Sequence, residues 1–107
     1  MNKIAETILN KKISQARIHI AEIDTVASGK KNKTFEESTR FILAREAVKR
    51  KIQIYEKALS MSDDEQERLK EFPAWQDNMG ACKDIKDRYN LSWEELRNLR
   101  DIFHEEP

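Results

Sequence analysis

Leu9-Asn10-Lys11-Lys12-Ile13-Ser14-Gln15-Ala16-Arg17-Ile18-His19-Ile20-Ala21-Glu22-Ile23-Asp24-Thr25-Val26-Ala27 is the stretch whose reading decides the fold. Within it Leu9, Ile13, Ala16, Ile20, Ile23 and Ala27 recur at spacings of four, three, four, three and four. That rhythm puts all six on one stripe of an α-helix. Ile4 and Ile8 extend the stripe toward the N-terminus. Ser28-Gly29 supplies a stop, because glycine readily takes the left-handed conformation that closes a helix. The spacing predicts a long helix over 3–28. No stretch keeps a period of two for long; Arg17–Ile20 comes nearest and lies inside the helical pattern.

Outward from this helix, Lys30-Lys31-Asn32-Lys33 reads as a polar, basic loop. Thr34-Phe35-Glu36-Glu37 then fits a capping box, in which the Thr hydroxyl accepts from the N3 amide and Glu37 reaches back to the cap amide. The second helix runs from there to about Leu59, with Phe41, Ala44, Val48, Ile52, Tyr55 and Leu59 on one face. Each helix is about 26 residues, or roughly 39 Å at 1.5 Å per residue. A loop of about six residues between them forces an antiparallel hairpin whose stripes face each other.

Ser62-Asp63-Asp64-Glu65 is a second capping box, and its acidic first turn complements the helix dipole. The helix it opens is expected to end near Phe72, because Pro73 cannot continue the hydrogen-bond ladder. Pro73 suits the first turn of a following helix, along which Trp75, Met79, Cys82, Ile85 and Tyr89 step by four, three, three and four. Gly80 interrupts that helix at a cost of about 1 kcal/mol relative to Ala. Asn90-Leu91 makes a turn, and Ser92-Trp93-Glu94-Glu95 is a third capping box. The last helix is expected over 93–104 with Trp93, Leu96, Leu99 and Phe103 inward, and with Glu105-Glu106-Pro107 frayed. The expected fold class is all-α: a long antiparallel N-terminal helical hairpin plus a small cluster of short C-terminal helices. Residues 1–107 form one domain, with 1–59 the basic hairpin and 60–107 the acidic short-helix cluster.

Composition agrees. Hydrophobic residues are 38% and charged residues 37% of the chain, against averages of roughly 45–50% and 25%. This ratio suits slender helices better than a compact globule, and the regular spacing of the apolar residues argues against disorder. Two glycines and two prolines are too few for an all-β fold, which needs a turn every 8–12 residues or so. The single cysteine, Cys82, excludes an intramolecular disulfide and suits a reducing interior. With no run of signal-peptide length and no span of about 20 apolar residues, the expected location is the cytoplasm, with no membrane involvement. The zero net charge hides a dipole. Residues 1–59 carry thirteen Lys/Arg against seven Asp/Glu, and residues 60–107 the reverse.

Little points to catalysis. His19, His104 and Cys82 are far apart, and no Cys-x-x-Cys or His-x-x-x-His pair offers a metal chelate. His19 lies off the apolar stripe and Cys82 lies on one, so a solvated imidazole and a small core thiol are expected. Glu46 and Glu56 have ordinary surface partners on the second helix, Lys49 and Arg50 in the case of Glu46. Two glycines fifty residues apart make no phosphate loop. The expectation is a protein that is not an enzyme and takes no cofactor or metal.

Two features bear on binding. Lys30, Lys31, Lys33, Arg40, Arg45, Lys49, Arg50 and Lys51 form a basic set, the loop lysines at the hairpin tip and Arg45 with Lys49 on one side of the second helix. Such a surface can neutralise phosphates, although the aromatics that would stack bases there, Phe35, Phe41 and Tyr55, are few and partly needed in the core. It can equally dock the chain's own acidic half. The second feature is 84–99, from Asp84-Ile85-Lys86 through Asn90-Leu91-Ser92 to Leu96 and Leu99, which resembles the helix-turn-helix motif of DNA-binding regulators. The resemblance implies DNA readout by the helix that starts at Trp93. Lys86 departs from the small residue that the motif favours against the partner helix, and Glu94 and Glu95 would face phosphates. Without DNA the segment is two short helices joined by a tight turn.

A two-helix hairpin buries only one side of each helix, so part of the apolar surface is expected to stay exposed, with Ile4, Ile8, Ile18 and Phe35 the candidates. Self-association as a four-helix dimer or contact with another protein would cover it. Trp75, Trp93 and Tyr89 are of the types enriched at binding hot spots, though their stripe positions favour core packing. Small size and Lys-, Asn-, Ile- and Glu-rich usage resemble accessory proteins of bacteria and their phages. The leading expectation is a non-enzymatic protein-binding regulator, adaptor or inhibitor. The alternative is a nucleic-acid-binding regulator using the basic hairpin, segment 84–99, or both.

Overall fold

The computed structural model describes residues 3–72, 80 and 82–105. Their helices are α1 (Lys3–Gly29), α2 (Phe35–Leu59), α3 (Asp63–Lys70), α4 (Lys83–Tyr89) and α5 (Trp93–Phe103), and no strand occurs among the described residues. Helices α1 and α2 pack together as the hairpin, and the three short helices gather at its open end.

Local chemistry sets the boundaries. The Ser62 hydroxyl accepts from the Glu65 amide at 3.2 Å while the Glu65 carboxylate accepts from the Ser62 amide at 3.0 Å. Ser92 and Glu95 repeat the arrangement at 3.1 and 2.8 Å. Both expected boxes are therefore complete. At Thr34 only half of one forms. The hydroxyl accepts from the Glu37 amide, but the Glu37 carboxylate turns to the Lys30 ammonium at 2.6 Å instead of the cap amide. A charged donor outcompetes a neutral one for a carboxylate.

One expected helix is shorter than its pattern. Cys82 has φ 60° and caps α4, which starts at Lys83, so the Trp75–Tyr89 stripe is not one continuous helix. A left-handed residue breaks the helical ladder whatever the spacing of apolar side chains around it. Pro73, Trp75 and Met79, and likewise Glu106-Pro107, lie outside the described residues. Asn90, at φ 53°, makes the second left-handed turn, and the Leu91 amide donates to the Lys86 carbonyl at 3.0 Å. Asparagine tolerates this conformation better than most residues.

The core sits at the open end of the hairpin. Ile8 and Leu9 of α1 and Ile54 and Ala58 of α2 meet Met61, Leu69, Phe72, Cys82, Ile85, Leu91, Leu96, Leu99 and Ile102. Ile8 is thus buried, not part of the exposed surplus expected for it, because the short helices cover that end of α1. Ala44 is exposed, and Ile54 and Ala58 are buried although they lie off the α2 stripe. The stripe marks what α2 turns toward α1, whereas Ile54 and Ala58 belong to a second face covered by the cluster. Tyr89 and Trp93 pack against this core, with Phe72 and Trp93 stacked at 6.1 Å.

From residue 17 to residue 47, across the far half of the hairpin, no residue is buried. Ile20, Ile23, Ala27 and Phe41 keep the expected facing stripe but are only half-buried. The molecule, 50 × 30 × 21 Å in extent, therefore consists of a packed body and a bare two-helix arm.

Candidate interaction surface

Half of the basic set is paired with carboxylates of the chain itself. Arg50 makes the most extensive contact. Its Nε and Nη2 donate to the two oxygens of Glu95 at 2.8 and 2.9 Å, and Nη2 also donates to the Asn90 carbonyl at 3.0 Å. The Arg50 hydrogen bond holds the Glu95 carboxyl below its ordinary value against the opposing effect of burial, with the Ser92 amide helping. Arg45 donates to Asp24 across the hairpin at 3.1 Å, and Lys49 reaches Glu46 at 3.5 Å. Lys30 engages Glu37, whose carboxyl it lowers, and its ammonium lies 5.8 Å from the Phe41 ring centre, with that of Lys33 at 6.0 Å. Lys31, Lys33 and Arg40 remain exposed at the tip without an ion pair to a described residue.

The acidic half meets the basic half only in part. Glu95 takes Arg50 and Glu105 takes Lys12 at 3.3 Å, while Arg45 and Lys49 pair within the hairpin. The cluster holds itself together with its own charges. Arg68 grips Asp84 through two bonds of 2.7 Å, which brings the Asp84 carboxyl down to about 2. Arg100 donates to the Phe72 carbonyl at 3.3 Å, and the His104 ring lies 2.7 Å from the Lys70 carbonyl. Glu65 is buried. Burial opposes its charge, but bonds from Ser62 and from the Tyr89 hydroxyl at 2.9 Å outweigh this and lower its pKa.

Segment 84–99 does form helix, turn and helix, with Ile85, Leu91, Leu96 and Leu99 buried. Lys86 lies over the Trp93 ring, 5.3 Å from its centre. The outward residues of α5 are Glu94, Asn98 and Asp101. Arg97, half-exposed, lies between them and Arg100 pairs with Asp101 at 2.7 Å, so that face carries charges of both signs.

The nucleophile and metal candidates are placed as follows. Cys82 is buried, its thiol pushed up by that burial and its Sγ 3.6 Å from the Arg68 carbonyl. His19 is exposed. Among the described residues no group of three or more His, Cys, Asp or Glu is placed to hold a metal ion, and no helix is long and apolar enough to cross a membrane.

The arm carries the exposed apolar surface. Phe35 is 87%, Ile42 61% and Leu43 64% exposed, with Ile18 and Val26 also open and Ile4 open at the other end of α1. Beside Ile42 a cleft of about 230 Å³ opens between the two helices, lined by Ile23, Asp24, Ala27, Lys33, Ser38, Phe41, Ile42 and Arg45. Ile4, Ile18 and Phe35 were legible as surplus apolar residues. Val26, Ile42 and Leu43 were missed, although Ile42 and Leu43 stand next to Phe41 and off the inward stripe, which is the signal that finds them. Comparison of the chain with protein-family models, curated proteins and solved structures finds no match.

Proposed function

We propose that this chain is a non-enzymatic protein-binding protein, a regulator, adaptor or inhibitor that acts by occupying a surface on a macromolecular partner with its helical arm. One observation carries the reading. The arm exposes Phe35, Ile42 and Leu43 and buries nothing between residues 17 and 47. Large apolar side chains exposed together on one element are a mark of interaction surfaces, and a cleft between two helices accepts an amphipathic helix. The lysines of the tip would steer the encounter and the apolar stripe would supply affinity. A cytoplasmic setting suits a chain whose one thiol is free.

The test is capture from a cell lysate with tagged protein, with and without nuclease, comparing the native chain with Ile42→Glu/Leu43→Glu. Both side chains are exposed, so the variant is expected to fold. A protein captured in the presence of nuclease and lost with the variant supports the reading. The second reading, nucleic-acid binding, is favoured by Lys31, Lys33 and Arg40, which make no ion pair with a described residue. It predicts recovery of nucleic acid that falls steeply between about 50 and 200 mM salt.

A further inference from the structure

We infer that the cleft where α1, α2 and α5 meet is a binding site for a phosphate monoester, with Lys12 and Lys51 as its cationic walls and Glu105 as the internal anion that a bound phosphate displaces. The inference is independent of the arm and goes beyond the protein-binding reading.

The sequence prepares this place. Residues 7–21 of α1 and 47–55 of α2 hold no Asp or Glu, yet they carry Lys11, Lys12 and Arg17, and Lys49, Arg50 and Lys51. The hairpin sets the two stretches side by side, and one cation from each comes onto a shared cleft. Lys12, Gln15 and His19 stand at positions i, i+3 and i+7 of α1, and Val48, Lys51 and Tyr55 at i, i+3 and i+7 of α2, so each set shares one side of its helix. Together they line a cleft of about 200 Å³ floored by the buried Ala16 and Val48, and among the described residues no carboxylate lines it. A second cleft of about 280 Å³ shares Lys12, Lys51 and Tyr55 with the first and extends to α5, where Asp101 and Glu105 stand.

The donors of the first cleft are open or easily opened. Lys51 makes no ion pair with a described residue, and neither the His19 ring nor the Tyr55 hydroxyl has a hydrogen-bond partner among them. Lys12 is taken, and its partner is informative. Glu105, beyond the end of α5, reaches the Lys12 ammonium at 3.3 Å, so the fold already brings an anion to this wall. The two side chains are 28% and 45% exposed, and a pair so wetted contributes little and yields to a stronger anion. Asp101 is answered by Arg100 at 2.7 Å. With Glu105 displaced, two ammonium groups face the cleft. A phosphate monoester brings about two negative charges and three acceptor oxygens. These match the two ammoniums, the Tyr55 hydroxyl and an N–H of His19, while the apolar floor takes the organic group. A carboxylate or a phosphodiester brings a single charge.

The test is titration of the isotope-labelled full chain with phenyl phosphate at constant ionic strength, followed by the amide NMR spectrum. Saturable shifts within residues 12–19 and 48–55 are expected at millimolar phenyl phosphate or below. Lys51→Ala is expected to weaken binding about tenfold with helical circular dichroism unchanged, the size that follows loss of a charged hydrogen bond, and Lys51→Arg to retain it. Lys49, which pairs with Glu46 and does not line the cleft, serves as the control, and Lys49→Ala is expected to bind as the native chain does. Glu105→Gln is expected to tighten binding about threefold by releasing Lys12. Inorganic phosphate that binds the same residues more weakly supports the inference with the floor holding the ring, and equal affinity supports it with free phosphate as the ligand. Shifts that never saturate, or that Lys51→Ala and Lys49→Ala reduce alike, overturn the inference. So does acetate or a short oligonucleotide that binds these residues as tightly as phenyl phosphate. A Glu105→Gln chain that binds no tighter overturns the displacement.

Discussion

Arg50, like Lys12, joins the basic hairpin to the acidic cluster, and it does so through the more extensive contact. In the sequence it is one of eight positive charges spread over residues 30–51 and has Glu46 as a neighbour at helical spacing. In the structure it ignores Glu46 and forms a two-pronged bond with Glu95, a residue already committed to capping α5. A planar guanidinium matches a carboxylate edge better than a flexible local pair does, and the site is half-covered, which strengthens the contact. Glu95→Gln is expected to cost about 1 kcal/mol near neutral pH, a modest figure because Arg50 is still partly wetted. The pH dependence has a defined sign. The folded-state pKa of Glu95 is lowered, so its contribution is complete above the ordinary value of about 4.3 and is lost as pH falls through the folded-state value. Glu65 and Asp84, also lowered, act in the same direction. Urea unfolding at a series of pH values checks this. The native chain should lose stability below about pH 4, and Glu95→Gln should show a shallower acid limb. An equally steep limb in the variant would remove Glu95 from the account.

At the scale of the element, what was legible depended on whether local chemistry alone sets the boundary. The starts of α3 and α5 were readable because Ser62 and Ser92 each need only a glutamate three residues on. Ser92→Ala is expected to destabilise the protein by about 1 kcal/mol, measured by thermal unfolding, and to speed amide exchange in the first turn of α5. Conversely the start of α4 was unreadable. An apolar stripe at helical spacing through Cys82 predicts continuation, while the left-handed backbone at Cys82 forbids it, and nothing in a cysteine announces that conformation. The box at Thr34 failed for a related reason: Lys30, seven residues away in sequence from Glu37, comes close only once the hairpin loop has formed.

For the whole molecule, stability is uneven. Among the described residues the fully buried large side chains, Leu9, Leu69, Ile85, Leu96 and Leu99, lie in the body. The arm rests on half-buried residues and on the Arg45–Asp24 pair at 3.1 Å. Amides of residues 17–47 in the isolated chain are accordingly expected to exchange with solvent at least about tenfold faster than those of α5, as measured by hydrogen exchange. Equal protection of arm and body in dilute solution would show that the arm does not open independently.

The sequence by itself determined the all-α class, the hairpin, two complete caps and the separation of charge, since each follows from spacing or from chemistry within four residues. It also marked Ile18 and Phe35 as apolar residues with no place on the inward stripe. Only the tertiary structure decided which end of the hairpin the short helices cover. That choice buries Ile8, Ile54 and Ala58, takes Arg50 out of the basic surface, and leaves Phe35, Ile42 and Leu43 in the open. The physical reason is that burial is a property of pairs of elements. A helix pattern states which side is apolar, but the identity and position of the neighbour that covers it are set by contacts between residues far apart in the chain.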